Sequence, residues 1–168
     1  MLLWYVGLSI VLVHEVFRSS GIDYRLIAVG SLLPLIVDLP FLERAYGFTL
    51  IGGVTLLVVV MVATIGRPRL LRRRLLCLPI GMFCGLVLSG AWAQGDLFWW
   101  PFTGPLPDVS LLPPWGIVAL EELAGLLACV WIVQRFHLTE PGPRRAFLHE
   151  GRLIDATSRR PPPRRLRP

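Results

Sequence analysis

Charge is scarce in this chain and lysine is missing altogether: 17% of the 168 residues are charged, and all 17 basic ones are arginine. A soluble domain of this size needs more charge than that to cover its surface. With 54% hydrophobic residues and a mean hydropathy of +0.63, the composition points instead to a bilayer. Cysteine is also rare. Cys77, Cys84 and Cys129 are odd in number and lie in apolar runs, where a thiol behaves as a small apolar side chain. They make no CxxC pair and no disulfide framework, so neither a thiol-ligated metal nor a stapled secreted scaffold is indicated. GxxxxGK[ST], HExxH, GxSxG and any internal repeat are missing too, which removes the P-loop, zincin and nucleophile-elbow readings. No basic stretch precedes the first apolar run and no A-x-A-like site follows it, so an uncleaved span is expected rather than a signal peptide.

What the chain does contain is apolar sequence in long runs. A spanning helix needs about 20 mostly apolar residues, fewer when flanking side chains snorkel. Five segments qualify, near 2–17, 26–42, 46–65, 75–93 and 115–133. The expectation is an all-α, polytopic transmembrane helix bundle over residues 1–134, followed by a basic tail over 135–168. Pro34 and Pro40 predict a kink or a partly re-entrant course in the second segment.

Arginine placement orients such a bundle, because short Arg-rich loops stay on the cytoplasmic side. Arg18 and Arg25 flank the first turn, Arg67, Arg69, Arg72, Arg73 and Arg74 fill the loop after the third segment, and Arg135 opens the tail. The alternate loops hold Glu43 with Arg44, and Asp96 with Asp108. This predicts an outer N-terminus and a cytoplasmic C-terminus. The net charge of +6 then collects on the cytoplasmic side, where each arginine near anionic headgroups contributes about 1 kcal/mol. Anionic lipid is therefore the expected partner of loop and tail, and nucleic acid is not. The tail ends in SRRPPPRRLRP and has little apolar content with which to fold, so it is expected to be largely disordered. His137, Glu140, His149, Glu150 and Asp155 are scattered along it without ligand spacing and read as solvated.

Within the apolar runs an ionisable group is costly enough to suggest a function. His14, Glu15 and Arg18 share a helical face at the inner end of the first segment, which reads as an interfacial ion pair. Asp38, Glu121 and Glu122 fall together in the outer half of the membrane, away from His14. Two buried carboxylates cannot both stay ionised without sharing a proton or holding a cation. Asp38 with Glu121 or Glu122, joined by Ser89, is thus the candidate polar site. The plainer alternatives are a structural hydrogen bond between helices, or a carboxylate at the backbone freed near Pro40.

Small residues make a second pattern. Gly81, Gly85 and Ser89 form two small-xxx-small steps, which let another helix approach closely. Gly52 with Gly53, or Ala124 with Ala128, are the expected counterparts. Further on, an outer loop runs from Asp96 to Pro114, and Trp92, Phe98, Trp99, Trp100, Phe102 and Trp115 in and around it suit the headgroup region. Its prolines stiffen it, which leaves a lid over an outer pocket as the competing reading.

Three segments in order, LLPLIVD, GFT and GLVLSGAWAQGDLFWWP, resemble the LexA-regulated inner-membrane proteins of the YdjM-like metal-dependent hydrolase family. That family carries an LLPDxD segment, a GFTHS-like segment, and a helix with HxxxD followed by a loop ending in LWP. Leu32, Leu33 and Pro34 match the first, Gly47, Phe48 and Thr49 the second, and Trp100 and Pro101 the third. Over roughly the first two thirds of the chain, the resemblance implies a multi-pass protein of the bacterial cytoplasmic membrane. It also implies a divalent metal such as zinc or manganese, with hydrolysis of a substrate such as a lipid-linked phosphate.

The departures cut against that chemistry. Gly85 and Ser89 stand where the family has His and Asp, Leu50 where it has the His after GFT, and Leu35 where it has the first Asp of LLPDxD. Asp38 matches the second Asp only with one residue inserted. A lone carboxylate with a serine hydroxyl cannot hold a divalent ion tightly. The expectation is a non-catalytic relative without a cofactor, acting as a packing or interaction module beside a second copy or a membrane partner protein. An active hydrolase rebuilt around Asp38 and Glu121 or Glu122 is the alternative. A carrier or proton pathway comes third, because the polar groups trace no path across the membrane.

Overall fold

The computed structural model describes residues 1–17, 21–151 and 153. Among these the chain forms α1 (Leu2–Phe17), α2 (Tyr24–Asp38), α3 (Leu50–Ala63), α4 (Arg69–Leu75), α5 (Cys77–Leu88), α6 (Gly95–Phe98), α7 (Trp115–Arg135) and α8 (Pro141–Glu150). Tight 3₁₀ turns at Leu39–Phe41, Tyr46–Phe48 and Ala91–Ala93 link them, and no strand is present among the described residues. The all-α expectation therefore holds. The helices form a bundle: α7 packs on α1, α1 packs on both α2 and α5, α2 packs on α5, and α3 lies against α5.

Capping chemistry sets the helix ends. The Asp23 carboxylate accepts from the Arg25 N–H at 3.2 Å and opens α2. Pro34 sits inside α2, while Pro40 sits in the tightened turn that ends it, where Leu42 turns the chain at φ 56°. Thr49 Oγ1 accepts from the Gly52 N–H at 3.0 Å, so α3 starts at Leu50 and residues 46–48 stay outside it. Gly90, at φ 68°, stops α5 at Leu88.

These caps shorten the expected spans. Among the described residues two helices are long and apolar enough to cross a membrane, where five were expected: Tyr24–Phe41 with its 3₁₀ turn, at 18 residues, and Trp115–Arg135, at 21. α1 and α3 are apolar but shorter, at 16 and 14 residues. The fourth expected span, 75–93, is shortened at both ends to the 12 residues of α5, which Leu76 separates from α4, a rise of about 18 Å.

Packing concentrates where α1, α2 and α5 meet. α5 buries seven of its 12 residues, whereas α3 buries Gly53 alone and α7 buries Gly125 and Ile132. One core joins Ile10, Val13, Tyr24, Ile27, Cys77 and Phe136; a second gathers Phe48, Leu86, Ala91, Leu97 and Leu111 at the opposite end. The expected tail begins as structure. The α8 helix packs beside the start of α2: Arg25 Nη1 donates to the Leu148 carbonyl at 2.8 Å and the Tyr24 N–H to the Gly151 carbonyl at 2.9 Å, with Leu153 buried. Asp155 and residues 154–168 lie outside the described residues, as does Arg18 of the expected His14–Glu15–Arg18 pair. His14 meets Tyr24 through Nδ1 at 3.3 Å and the Phe136 ring edge-on at 4.8 Å.

Candidate functional site

Asp38, Ser89, Glu121 and Glu122 lie toward one end of the bundle, where α2 and α5 finish and α1 and α3 begin. Asp38, Ser89 and Glu122 are each held by backbone. Asp38 is completely buried, and its two oxygens accept from the N–H groups of Ala45 at 2.6 Å and Gly47 at 2.8 Å. Its carboxylate thus folds the chain back after Pro40 and supplies the partners that buried amides require.

Ser89 is equally engaged. Its Oγ donates to the Leu86 carbonyl at 2.8 Å and accepts from the Ala91 N–H at 3.2 Å, closing the C-terminal turn of α5. The last carbonyls of that helix are capped from outside, Leu88 by the Trp4 indole N–H at 3.0 Å and Ser89 by Arg44 Nη1 at 3.2 Å. A cation at a helix C-terminus opposes the negative end of its dipole. Arg44 is 9% exposed, lies over the Phe48 ring at 5.2 Å, and is positioned by its own N–H bond to Val109 at 2.7 Å.

Glu122 takes a third role. Its carboxylate pairs with the Met1 amino group and accepts the N–H of Leu2 at 2.7 Å and of Leu3 at 3.1 Å, so it caps α1 from α7. The expected Asp38 carboxylate pair is therefore not built: Asp38 serves the α2–α3 turn and Glu122 serves the α1 terminus. Glu121 Oε2 and Arg44 Nε are buried without a hydrogen-bond partner among the described residues, and buried Tyr5 lies within electrostatic reach of both. Arg44, Tyr5 and Trp4 were missed from the sequence. The available signal was Arg44 itself, a lone arginine in a loop otherwise poor in positive charge and next to the GFT segment.

The small-residue face has a different partner from those expected. A Cβ on Gly81 would run into the Ile27 carbonyl, one on Gly30 into the Leu78 carbonyl, and one on Gly85 would lie 2.5 Å from the Ser31 carbonyl. α5 thus packs through its glycines on α2, not on α3 or α7. Gly53 of α3 instead meets the Phe83 ring, Gly52 the Tyr46 carbonyl, and Gly125 with Ala128 of α7 meets Gly7 of α1. The aromatic set is mixed: Trp92, Trp99, Phe102 and Trp115 are exposed, Trp100 stands edge-on to Tyr46 at 5.4 Å, and half-buried Phe98 packs on the second core.

Comparison with known proteins adds nothing to this geometry. No family model, curated protein or solved structure matches the chain. The divalent metal that the resemblance implies does not fit these residues. Gly85 occupies a ligand position where the α2 backbone leaves no room for a side chain, and both Asp38 oxygens already accept amide hydrogens. Among the described residues, no three His, Cys, Asp or Glu side chains converge.

Proposed function

We propose that this chain is a multi-pass protein of the bacterial cytoplasmic membrane, with its N-terminus outside and its C-terminus inside. On this reading it is a non-catalytic relative of the YdjM-like hydrolase type and works as an interaction module. Exposed apolar surface supports the membrane part: Val62, Leu120 and Leu127 on α3 and α7 are each more than 60% exposed, a pattern that water penalises and lipid does not. The observation that carries the non-catalytic part is Asp38, the one match to a family ligand, whose carboxylate is fully engaged in holding a turn. Because Gly81 and Gly85 are covered by α2, a second copy or a partner protein has the outer faces of α3 and α7 to bind.

Elemental analysis of the purified, dialysed protein tests this, with Asp38→Ala as the control. The expected result is less than stoichiometric zinc or manganese in both proteins. One equivalent in the parent, lost in the variant and accompanied by metal-dependent phosphatase activity, overturns the proposal. A second reading rests on one observation, the buried Glu121 Oε2 and Arg44 Nε without partners, which is where a rearranged hydrolytic site would lie. Activity lost on Glu121→Gln but kept on Asp38→Asn would select it.

A further inference from the structure

At the opposite end of the bundle, a cavity of about 430 Å³ opens between the α1–α2 turn and α4. Gly21, Ile22 and Asp23 form one wall; Leu71, Arg73 and Arg74 form the other. We propose that this cavity binds the phosphate-bearing headgroup of an anionic phospholipid. The inference rests on the membrane reading above and names a lipid site within it.

Charge is the first argument. α4 carries Arg72, Arg73 and Arg74 in its last turn, with Arg67 and Arg69 just before, and Asp23 is the single acidic residue of the lining. Guanidinium groups match phosphate oxygens in a planar, two-point geometry. Shape is the second. The Arg73 guanidinium lies against Gly21, where a Cβ would stand 2.6 Å from Nη2, so a glycine at that position lets the arginine form part of the wall. Arg72 reaches Met61 Sδ at 3.3 Å, outside the cavity, and Arg73 and Arg74 line it. Apolar neighbours are the third. Leu70 and Leu71 are 77% and 40% exposed beside those arginines. Exposed leucines next to arginines suit the boundary between headgroup and acyl chain, and a free phosphate would have no use for the leucines.

The test uses the full chain in nanodiscs of phosphatidylglycerol mixed with phosphatidylcholine, with retained lipid counted by native mass spectrometry. Phosphatidylglycerol is expected to be retained in preference. An Arg73→Gln, Arg74→Gln double variant is expected to weaken retention on the order of tenfold. Arg67→Gln with Arg69→Gln removes the same charge outside the lining and is expected to weaken it far less. Equal losses in the two double variants overturn the cavity assignment, as does the lack of any preference for phosphatidylglycerol. Displacement of the lipid by inorganic phosphate alone overturns the lipid assignment. Extraction of the parent protein from cell membranes by alkaline carbonate would instead bring down the membrane reading itself, which separates the two failures.

Discussion

α5 and α7 look alike as sequence and behave differently as structure. Both are apolar, and both carry small residues at helical spacing, Gly81 with Gly85 on one and Gly125 with Ala128 on the other. Yet α5 is buried along most of its length and α7 is buried at Gly125 and Ile132 alone. The reason is position in the bundle: α5 packs on α2, α1 and α3, whereas α7 leans on α1. Apolar composition tells that a helix avoids water. The glycines tell where backbones touch, because a missing side chain is what allows two helices to close within van der Waals range. Neither signal tells how many neighbours a helix has.

The contrast is most sharply tested at the α2–α5 seam. Gly81→Leu forces a side chain into the Ile27 carbonyl, with Gly30 directly behind it. Because the obstacle is backbone and cannot rotate away, the cost is expected near the top of the overpacking range, about 3 kcal/mol. Thermal unfolding in detergent micelles reads it, and a loss under about 1 kcal/mol would mean the seam is looser than drawn. Gly125→Leu meets the Leu3–Trp4 backbone in the same way, but α7 can retreat from the bundle. Its expected cost is about 2 kcal/mol, with faster hydrogen exchange along α7 while α2 and α5 keep their protection. Exchange accelerated evenly over all helices would contradict α7 as the separable member.

Glu122→Gln comes next in size. It keeps the side chain's shape but removes the charge that faces the Met1 amino group and the first amides of α1. The expected loss is about 1 kcal/mol, because the carboxylate is partly exposed and charged hydrogen bonds there are screened. It should be matched by a comparable loss on N-terminal acetylation of the parent. If acetylation costs nothing, the cap works through the Leu2 and Leu3 amides alone.

How much of this was readable beforehand follows from the same physics. α1 was legible at both ends because its apolar run is bounded by its own composition. α3 and α5 were drawn too long because hydropathy ignores caps: Thr49 and Gly90 end helices by hydrogen bonding and backbone conformation, while the residues beyond them remain apolar. Gly81 and Gly85 were legible as a packing face, but their partner was not, since Gly30 and Ser31 lie in a segment that drew attention for its prolines. At the site, Asp38 takes the plainer of its two readings, a carboxylate on the backbone beyond Pro40, and the pairing with Glu122 is not built, because main-chain partners are present in every sequence and leave no mark of their own. Arg44 stood out only as a lone arginine in its loop, which does not say that it folds inward onto the end of α5.

The smallest expected effect carries the most information about partners. Leu123, on the outer side of α7, is 55% exposed. If that face meets lipid, Leu123→Ala exchanges one apolar surface for another and leaves stability within about 0.5 kcal/mol. The measurement is the same unfolding experiment, run together with the oligomeric mass by light scattering. A loss of about 2 kcal/mol or more, the range of a leucine deleted from a packed interior, would mean that the face is covered by protein. A simultaneous fall in mass would make the cover a second copy of the chain, and an unchanged monomer mass would return the effect to packing within α7 itself. The contrast with α5 would narrow only in the first case, because α7 would then have two neighbours instead of one.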